Sequence, residues 1–362
     1  LVHCRTLKAD PKRADTNAPS MVGQTSSPHH GSITPSSGPI SKTHGVVHRI
    51  GIIGLGTVGA RFVDQFNLHD DFDLVAAWDP DRDACAAHHD SVTIVNDAAS
   101  VIALADVVYI AVPPLFHREY VEACVAAGVG VFCEKPLGID ITQSRALVDL
   151  VATSGVPAGV NFVFSAAPSA VELAERIKQG AIGDIVRGDL RLHFAEWPRA
   201  WHAKAQWLKL RDQGGWIREV VSHFLFVANR VLGPLTLDHA IVTFPDGVDG
   251  QLSEIDALAR LSAPSGTPLV LIGTGEGVGP DVVDLTIRGT TGSLRLVDWY
   301  HLQSSDGGDW QHLLGTDRAE LGANAYGGQL AELSKMLSGE PHSIATFTEA
   351  LAVQELVEQM LN

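Results

Sequence analysis

Basic residues are scarce in this chain. Its 26 lysines and arginines stand against 42 aspartates and glutamates, a formal charge of -16 over 362 residues. A phosphate-backbone partner calls for a basic face, so nucleic acid is excluded as the expected ligand. Cysteine is rarer still. Cys4, Cys85, Cys124 and Cys133 show no CxxC spacing, so they read as reduced thiols, and no metal site is expected. Long uncharged apolar runs are missing, which excludes a segment spanning a bilayer. The first residues lack the apolar core of a secretory signal, which predicts a cytoplasmic protein. Aromatics make up only 6% of the chain. What remains is ordinary for a globular protein, with 45% hydrophobic residues and enough length for two domains.

Residues 1–46 are rich in Ser, Thr, Pro, Gly and His, with almost no apolar periodicity. Such a segment cannot bury enough surface to offset its ordering entropy, so a disordered tail is expected. Met21 inside it is a candidate natural start. His29, His30, His44 and His48 read as solvated tail residues rather than metal ligands.

Residues 47–164 have a different texture. Short apolar runs at 47–53, 74–78, 92–95, 107–112, 129–133 and 158–164 predict strands. Helical spacing occupies 57–66, 81–89, 116–127 and 142–153, with Gly128 and Gly155 near the stops. Apolar strands alternating with helices predict an α/β, doubly wound parallel sheet covered on both faces. Residues 165–362 read instead as an α+β domain. A helix over 169–179 leads into alternating runs at 186–194, 237–244, 255–262, 269–274 and 282–288, and a helix over 349–361 closes the chain. The last three strands follow one another closely, which predicts an antiparallel meander in a large open sheet.

Gly54-Leu55-Gly56-Thr57-Val58-Gly59 follows the first strand and opens the first helix. A helix N-terminus with free backbone N–H groups attracts a pyrophosphate. Gly54 permits the tight turn, Gly56 lets the backbone approach the phosphates, and Gly59 lets helix and strand pack closely. Asp79 lies twenty residues past Gly59 at the end of the second strand, where it can accept from a ribose hydroxyl pair. A carboxylate there repels a 2′-phosphate and favours NAD. Arg82, three residues on, could swing to a phosphate instead, so NADP stays open.

Lys135, in Cys133-Glu134-Lys135-Pro136, follows a strand. Ligands of open α/β sheets sit beyond the carboxyl ends of strands, so Lys135 should point into the crevice. A lysine at its ordinary pKa of about 10.4 exchanges protons poorly at neutral pH, and burial beside a cofactor makes one useful. The helix beginning at Gly214-Gly215 carries Glu219 and His223, four residues apart and on one face. A carboxylate can orient an imidazole, whose ordinary pKa of about 6.5 suits proton transfer. Just ahead of that helix, four of the seven tryptophans fall between residues 197 and 216. Trp201, His202 and Trp207, with Arg199 and Lys204 among them, could wall a sugar or cyclic polyol.

Over about residues 47–360 the chain resembles the glucose–fructose oxidoreductase, inositol dehydrogenase and rhizopine-catabolism (Gfo/Idh/MocA) family. The matching pieces are the GLGTVG loop, Asp79, Val112-Pro113 with His117, Glu134-Lys135-Pro136, Asn161, and the Gly-Gly…Glu219…His223 segment. Ile287-Arg288-Gly289-Thr290-Thr291-Gly292 looks like the family's late sheet turn. The resemblance implies that Thr57, Val58, Val112, Pro113, His117 and Glu134 join the glycines at the cofactor, and that Asn161 contacts substrate. It implies proton transfer by His223, assisted by Lys135. Three residues depart from the family pattern: Glu219 replaces an Asp, Val163 stands where Arg is common, and Pro114 replaces an Asn.

The expectation is an NAD(P)-dependent oxidoreductase that interconverts a secondary alcohol and a ketone on a sugar, polyol or related cyclic compound. NAD is the favoured cofactor, and relatives suggest a homodimer or homotetramer through the open face of the second sheet. The alternatives are a dinucleotide-binding sensor without catalysis, a reductase of imines or unsaturated rings, and a glycosidase that uses NAD transiently.

Overall fold

The computed structural model describes residues 46–202, 205–246 and 250–362. The tail assigned to residues 1–46, apart from Val46, lies outside the described residues, as does Lys204.

Each early strand is a short apolar run, and each is followed by a helix that returns the chain to the same sheet edge. β1 (His48–Ile53), α1 (Thr57–Asn67), β2 (Phe72–Trp78), α2 (Arg82–Ala86) and α3 (Ala98–Leu104) come first. β3 (Val107–Ile110), α4 (His117–Ala127), β4 (Gly130–Glu134), α5 (Ile141–Ser154) and β5 (Ala158–Asn161) complete a parallel sheet in the order β2-β1-β3-β4-β5. The chain leaves β1 toward β2 on one side and later returns on the other through β3. The carboxyl ends of β1 and β3 therefore splay around a crevice, the usual ligand position in such sheets.

Two early expectations need correction. His48 belongs to no solvated tail: it opens β1 at 7% exposure, with its ring tilted against Phe72. Residues 92–95 form no full strand. The Ala77 N–H donates to the Thr93 carbonyl and the Ala77 carbonyl accepts from the Val95 N–H around a single bridge at Ile94, and Asp97 then caps α3 through the Ser100 N–H. Four residues squeezed ahead of a helix cap leave no length for a longer ladder.

α6 (Pro168–Lys178) leads to β6 (Ile185–His193), α7 (Ser222–Leu232), β7 (Thr236–Thr243), β8 (Asp256–Ser262) and β9 (Pro268–Thr274). β10 (Val282–Gly289), β11 (Ser293–Val297), β12 (His301–Ser305), β13 (Gln311–His312), α8 (Arg318–Leu337) and α9 (Phe347–Leu361) follow. The second sheet runs β13-β12-β11-β10-β6-β9-β8-β7, antiparallel except for the β6–β9 pair. The expected meander through β8, β9 and β10 is broken: β6 lies between β9 and β10 and pairs with both. Gly188 at the middle of β6 makes the close fit possible, because a Cβ there would stand 2.6 Å from a Leu269 methyl.

The late helices return to the first sheet. Leu330, Leu333 and Met336 of α8, with Ile344, share one core with Ile50, Phe62, Tyr109 and Phe132. Val160 of β5 pairs with Ala345 just ahead of α9. One face of the parallel sheet is thus covered by residues from the far end of the sequence.

Candidate active site

The glycine loop has the backbone geometry its sequence implies. Gly54 has φ of 100° and sits against the Ala111 carbonyl, where a Cβ would stand 2.5 Å from the oxygen. Gly59 lies beneath the turn, and a Cβ there would stand 1.9 Å from the Gly54 oxygen. Gly56 is the opposite case: a Cβ would meet nothing within 4 Å, because it faces open space at the start of α1. No side chain caps that helix, so its first N–H groups remain for a ligand. Asp79 fixes the loop from β2, accepting from the Leu55 N–H at 2.6 Å and the Asp81 N–H at 2.8 Å. Each carboxylate oxygen keeps a lone pair for a further donor.

Glu134 ends β4 and is buried. Tyr109 and Asn161 both donate to its Oε1, and burial pushes its pKa up. Lys135 follows with its side chain 6% exposed. Its ammonium meets Glu219 Oε2 at 2.6 Å and donates to the Glu219 carbonyl at 2.9 Å. That carbonyl is reachable because Ile217–Val221 form a π-helical turn ahead of α7. The wider turn releases backbone acceptors from the regular helical ladder. Three donors sit on an ammonium, so one N–H of Lys135 is left for a bound oxygen.

The expected Glu219–His223 pair gives way to this contact. No hydrogen bond joins the two among the described residues, because the carboxylate takes the ammonium, the stronger partner. His223 stands instead in an aromatic collar, its ring edge-on to Phe162, Phe164 and Trp299 at 5.5 to 5.9 Å. Nδ1 is enclosed with no partner. Burial, reinforced by the Lys135 charge, holds the imidazole well below its ordinary pKa. It is therefore neutral at physiological pH.

Two adjoining cavities meet at Lys135. A cleft of about 580 Å³ extends over the glycine loop and is lined by Gly54, Gly56, Thr57, Val58, Asp79, Val112 and Pro113. A second cavity of about 610 Å³ reaches Asn161, Val163, His223, Trp299 and Tyr300. Val58, Glu134, Lys135, Trp201 and Glu219 border both. A further cavity of about 670 Å³ beside Arg211 and Asn362 shares no lining residue with them. Among the described residues, no group of three or more His, Cys, Asp or Glu side chains is placed to hold a metal. No described helix is long and apolar enough to cross a membrane.

Several expected contacts fall elsewhere. Arg82 is exposed and lines neither cavity, because Asp81 caps α2 and turns its first residues outward. His117 is fully buried behind the cleft. Its ring faces the Val112 carbonyl at 2.8 Å and the Leu137 carbonyl at 3.4 Å, and burial lowers its pKa to about 4. It ties two loops together rather than touching a ligand. His202 and Trp207 line the cleft over the glycine loop, not the cavity at His223, while Trp201 separates the two spaces. The Asn161 amide nitrogen is committed to Glu134 and Tyr109.

Sequence reasoning missed Arg61, Trp299, Tyr300, Arg318 and Tyr326, all of which line the second cavity. The turn holding Trp299 carried no glycine signal. Asp298 and Trp299 adopt φ of 47° and 72°, a left-handed conformation unusual for such residues. α8 did carry a signal, since Asp317 accepts from the Ala319 and Glu320 N–H groups as an N-cap with an acid three residues on.

Residues 48–162 match the Gfo/Idh/MocA model, described as an oxidoreductase family with an NAD-binding Rossmann fold. Over that stretch the chain is similar to this family. Among curated relatives, the myo-inositol dehydrogenase Hyg17 of Streptomyces leeuwenhoekii is 26% identical over 59% of this chain and 66% of its own length. With several other curated relatives the match spans under half of their length. Among solved structures, two illustrate the shared fold. An oxidoreductase from Agrobacterium radiobacter, solved with NAD+, L-tartaric acid and magnesium, has a TM-score of 0.73 at 19% identity, over 86% of this chain and 94% of its own. A 3-ketoreductase from Actinomadura kijaniata, solved with NADP and TDP-benzene, has a TM-score of 0.72 at 19% identity, over 86% and 96%.

Proposed function

We propose that this protein is an NAD(P)-dependent dehydrogenase or reductase that interconverts a secondary alcohol and a ketone on a sugar, polyol or related cyclic substrate. The observation that carries this reading is the meeting of the two cavities at Lys135, Glu219 and Trp201. A dinucleotide in the cleft would rest its phosphates on the Gly56 turn and its ribose against Asp79. Asp79 lines the cleft and Arg82 does not, which favours NAD over NADP. A nicotinamide bound there supplies the hydride acceptor or donor.

The protein's own residues supply the proton path. In the oxidative direction, neutral His223 takes the proton of the substrate hydroxyl. Its enclosed Nδ1 leaves Nε2 as the atom for that transfer. Lys135 directs its remaining N–H to the same oxygen, and Glu219 fixes the ammonium. Asn161 and Tyr109 hold Glu134 rigid beneath them. Phe162, Phe164 and Trp299 keep water from the imidazole.

A cytoplasmic homodimer or homotetramer completes the reading. Ile241, Leu258 and Ile272 stand in register across β7, β8 and β9 and are 54%, 45% and 53% exposed, an apolar row suited to a second copy. Gel filtration at the 38.5 kDa monomer mass would remove that part.

The first experiment is a thermal-shift titration with NAD, NADH, NADP and NADPH, followed by turnover on sugars and polyols. A preferred cofactor raises apparent stability by mass action. No shift with any of the four sinks the enzyme reading. A shift without turnover across the panel leaves a dinucleotide sensor. His223→Asn should cut turnover at least about a hundredfold and leave the cofactor shift intact, and unchanged turnover would remove His223 from the mechanism.

A further inference from the structure

The second cavity is cationic in an acidic protein. Arg61, Lys135, Arg199 and Arg318 line it, against Glu134 and Glu219. Lys135 is matched by Glu219 at 2.6 Å, and Arg318 by Asp298 at 3.0 Å. Glu134 is engaged by Tyr109 and Asn161. Arg61 and Arg199 have no carboxylate partner among the described residues. Arg61 donates only to the Tyr326 hydroxyl, at 2.6 Å. Among the described residues Arg199 takes part in no hydrogen bond or ion pair, and its Nε is enclosed without an acceptor.

Arg199 is nonetheless held in place. Its guanidinium lies 4.9 Å from the ring centres of Phe194 and Trp201 and 5.8 Å from that of Trp197. Such stacking fixes the plane of the fork without using its hydrogen-bond donors. Burial lowers its proton affinity and the Arg318 charge adds to that, while the Glu219 and Asp281 charges offset part of the loss without making a contact to the fork. A desolvated cation lacking a partner is costly, and an oxyanion bound to its donors would offset that cost. Val163, in the same cavity, offers no charge of its own.

We infer that Arg199, together with Arg61, binds an oxyanionic group of the substrate, so that the substrate is a carboxylated or phosphorylated sugar rather than a neutral one. The inference rests on the dehydrogenase reading above and adds to it the charge of the substrate. The reacting carbon would lie at His223 and the anion toward the two arginines, with the Trp299 and Tyr300 rings alongside the sugar. The cavity of about 610 Å³ has room for a monosaccharide bearing such a group.

The test uses the full chain saturated with its preferred dinucleotide, in paired assays of binding and oxidation. The probes are D-glucose against D-glucuronate, D-galactose against D-galacturonate, and D-glucose against glucose 6-phosphate. The sugar acids and the phosphate distinguish the two sources of the oxyanion. At least one anionic probe should bind or react at least about tenfold better than its neutral partner. Arg199→Gln should weaken that probe about 10- to 100-fold, the loss of one charge-assisted bond, and weaken the neutral sugar by clearly less. Arg61→Gln should act in the same direction, and it decides the matter if Arg199→Gln fails to fold. A selective rise in KM with the dinucleotide shift preserved separates anion binding from a packing role.

Neutral probes equal to or better than their acids would overturn the oxyanion site and leave the dehydrogenase reading standing. Dinucleotide binding with no response to any probe would also overturn the oxyanion site, and would favour a dinucleotide sensor. Failure to bind any dinucleotide would instead remove the reading on which the inference rests.

Discussion

Gly56 and Gly59 are three residues apart in one loop, and the same substitution should act on them through different physics. In Gly59→Ala the new methyl would stand 1.9 Å from the Gly54 oxygen and 3.3 Å from the Ala111 Cβ. Carbon atoms of this kind do not approach backbone oxygens within 3.0 Å, so α1 must recede from β1 by about 1 Å or more. Overpacking costs about 1–3 kcal/mol, and a backbone obstacle places this site near the top of that range. For a chain this size the melting temperature should fall roughly 3–5 °C. In Gly56→Ala the methyl meets nothing in the protein, and the N-cap change costs about 1 kcal/mol or less. The methyl does occupy the space the phosphates need, so dinucleotide affinity should fall more than about tenfold, or about 1.4 kcal/mol. Differential scanning fluorimetry with and without NADH reads both effects in one series. A Gly56→Ala protein that binds NADH as the parent does would refute the placement of the pyrophosphate at this turn. A Gly59→Ala protein that melts with the parent would refute the packing argument.

Three further predictions rest on single contacts. Lys135→Met removes the donor at the junction of the cavities, and turnover should drop about a hundredfold or more in steady-state assays, while equal turnover would exclude it from the proton path. Glu254 is buried beneath the π-helical turn, where its Oε1 accepts from the Ile217 N–H at 2.6 Å and burial raises its pKa to about 7. A carboxyl raised above its unfolded value of about 4.5 contributes stability that is complete below pH 4.5 and lost as pH climbs through 7. Glu254→Gln should flatten the melting profile between those pH values, and an unaltered slope would show that another group carries it. Arg218 meets Glu358 through two buried contacts at 2.7 and 2.8 Å and also donates to the Arg211 and Gly214 carbonyls. Arg218→Ala leaves a buried carboxylate alone and should cost about 3–5 kcal/mol in denaturant unfolding; a loss under 1 kcal/mol would show that water reaches the pair.

The parallel sheet was legible because its signals are local. Apolar runs, the glycine loop and the Gly128 and Gly155 stops each act within a few residues, and both stops do adopt the left-handed conformation. The second sheet was legible strand by strand but not in its order, because the placement of β6 between β9 and β10 depends on partners about eighty residues apart in sequence. The glycine loop, Lys135, Glu219 and His223 were found because their neighbours in sequence mark them. Arg61, Trp299 and Tyr326 come to the cavity from three distant elements, and no short pattern joins them. Glu219 was found but given the wrong partner, since sequence spacing places residues on a helix face and says nothing of an ammonium arriving from β4.

The return of α8 to the first sheet bears on how the chain is made. A ribosome delivers His48 to Asn161 in one stretch, and all five strands can pair soon after they emerge. Yet Phe62, Tyr109 and Phe132 share their core with Leu330, Leu333 and Met336. Until those late residues are synthesised, that side of the nascent sheet stays wet and open to passing chains. The stretch that matches the family model, residues 48–162, is therefore no cassette that can be cut out and transplanted. A graft that keeps its dinucleotide cleft must carry the last fifty residues along as its lining.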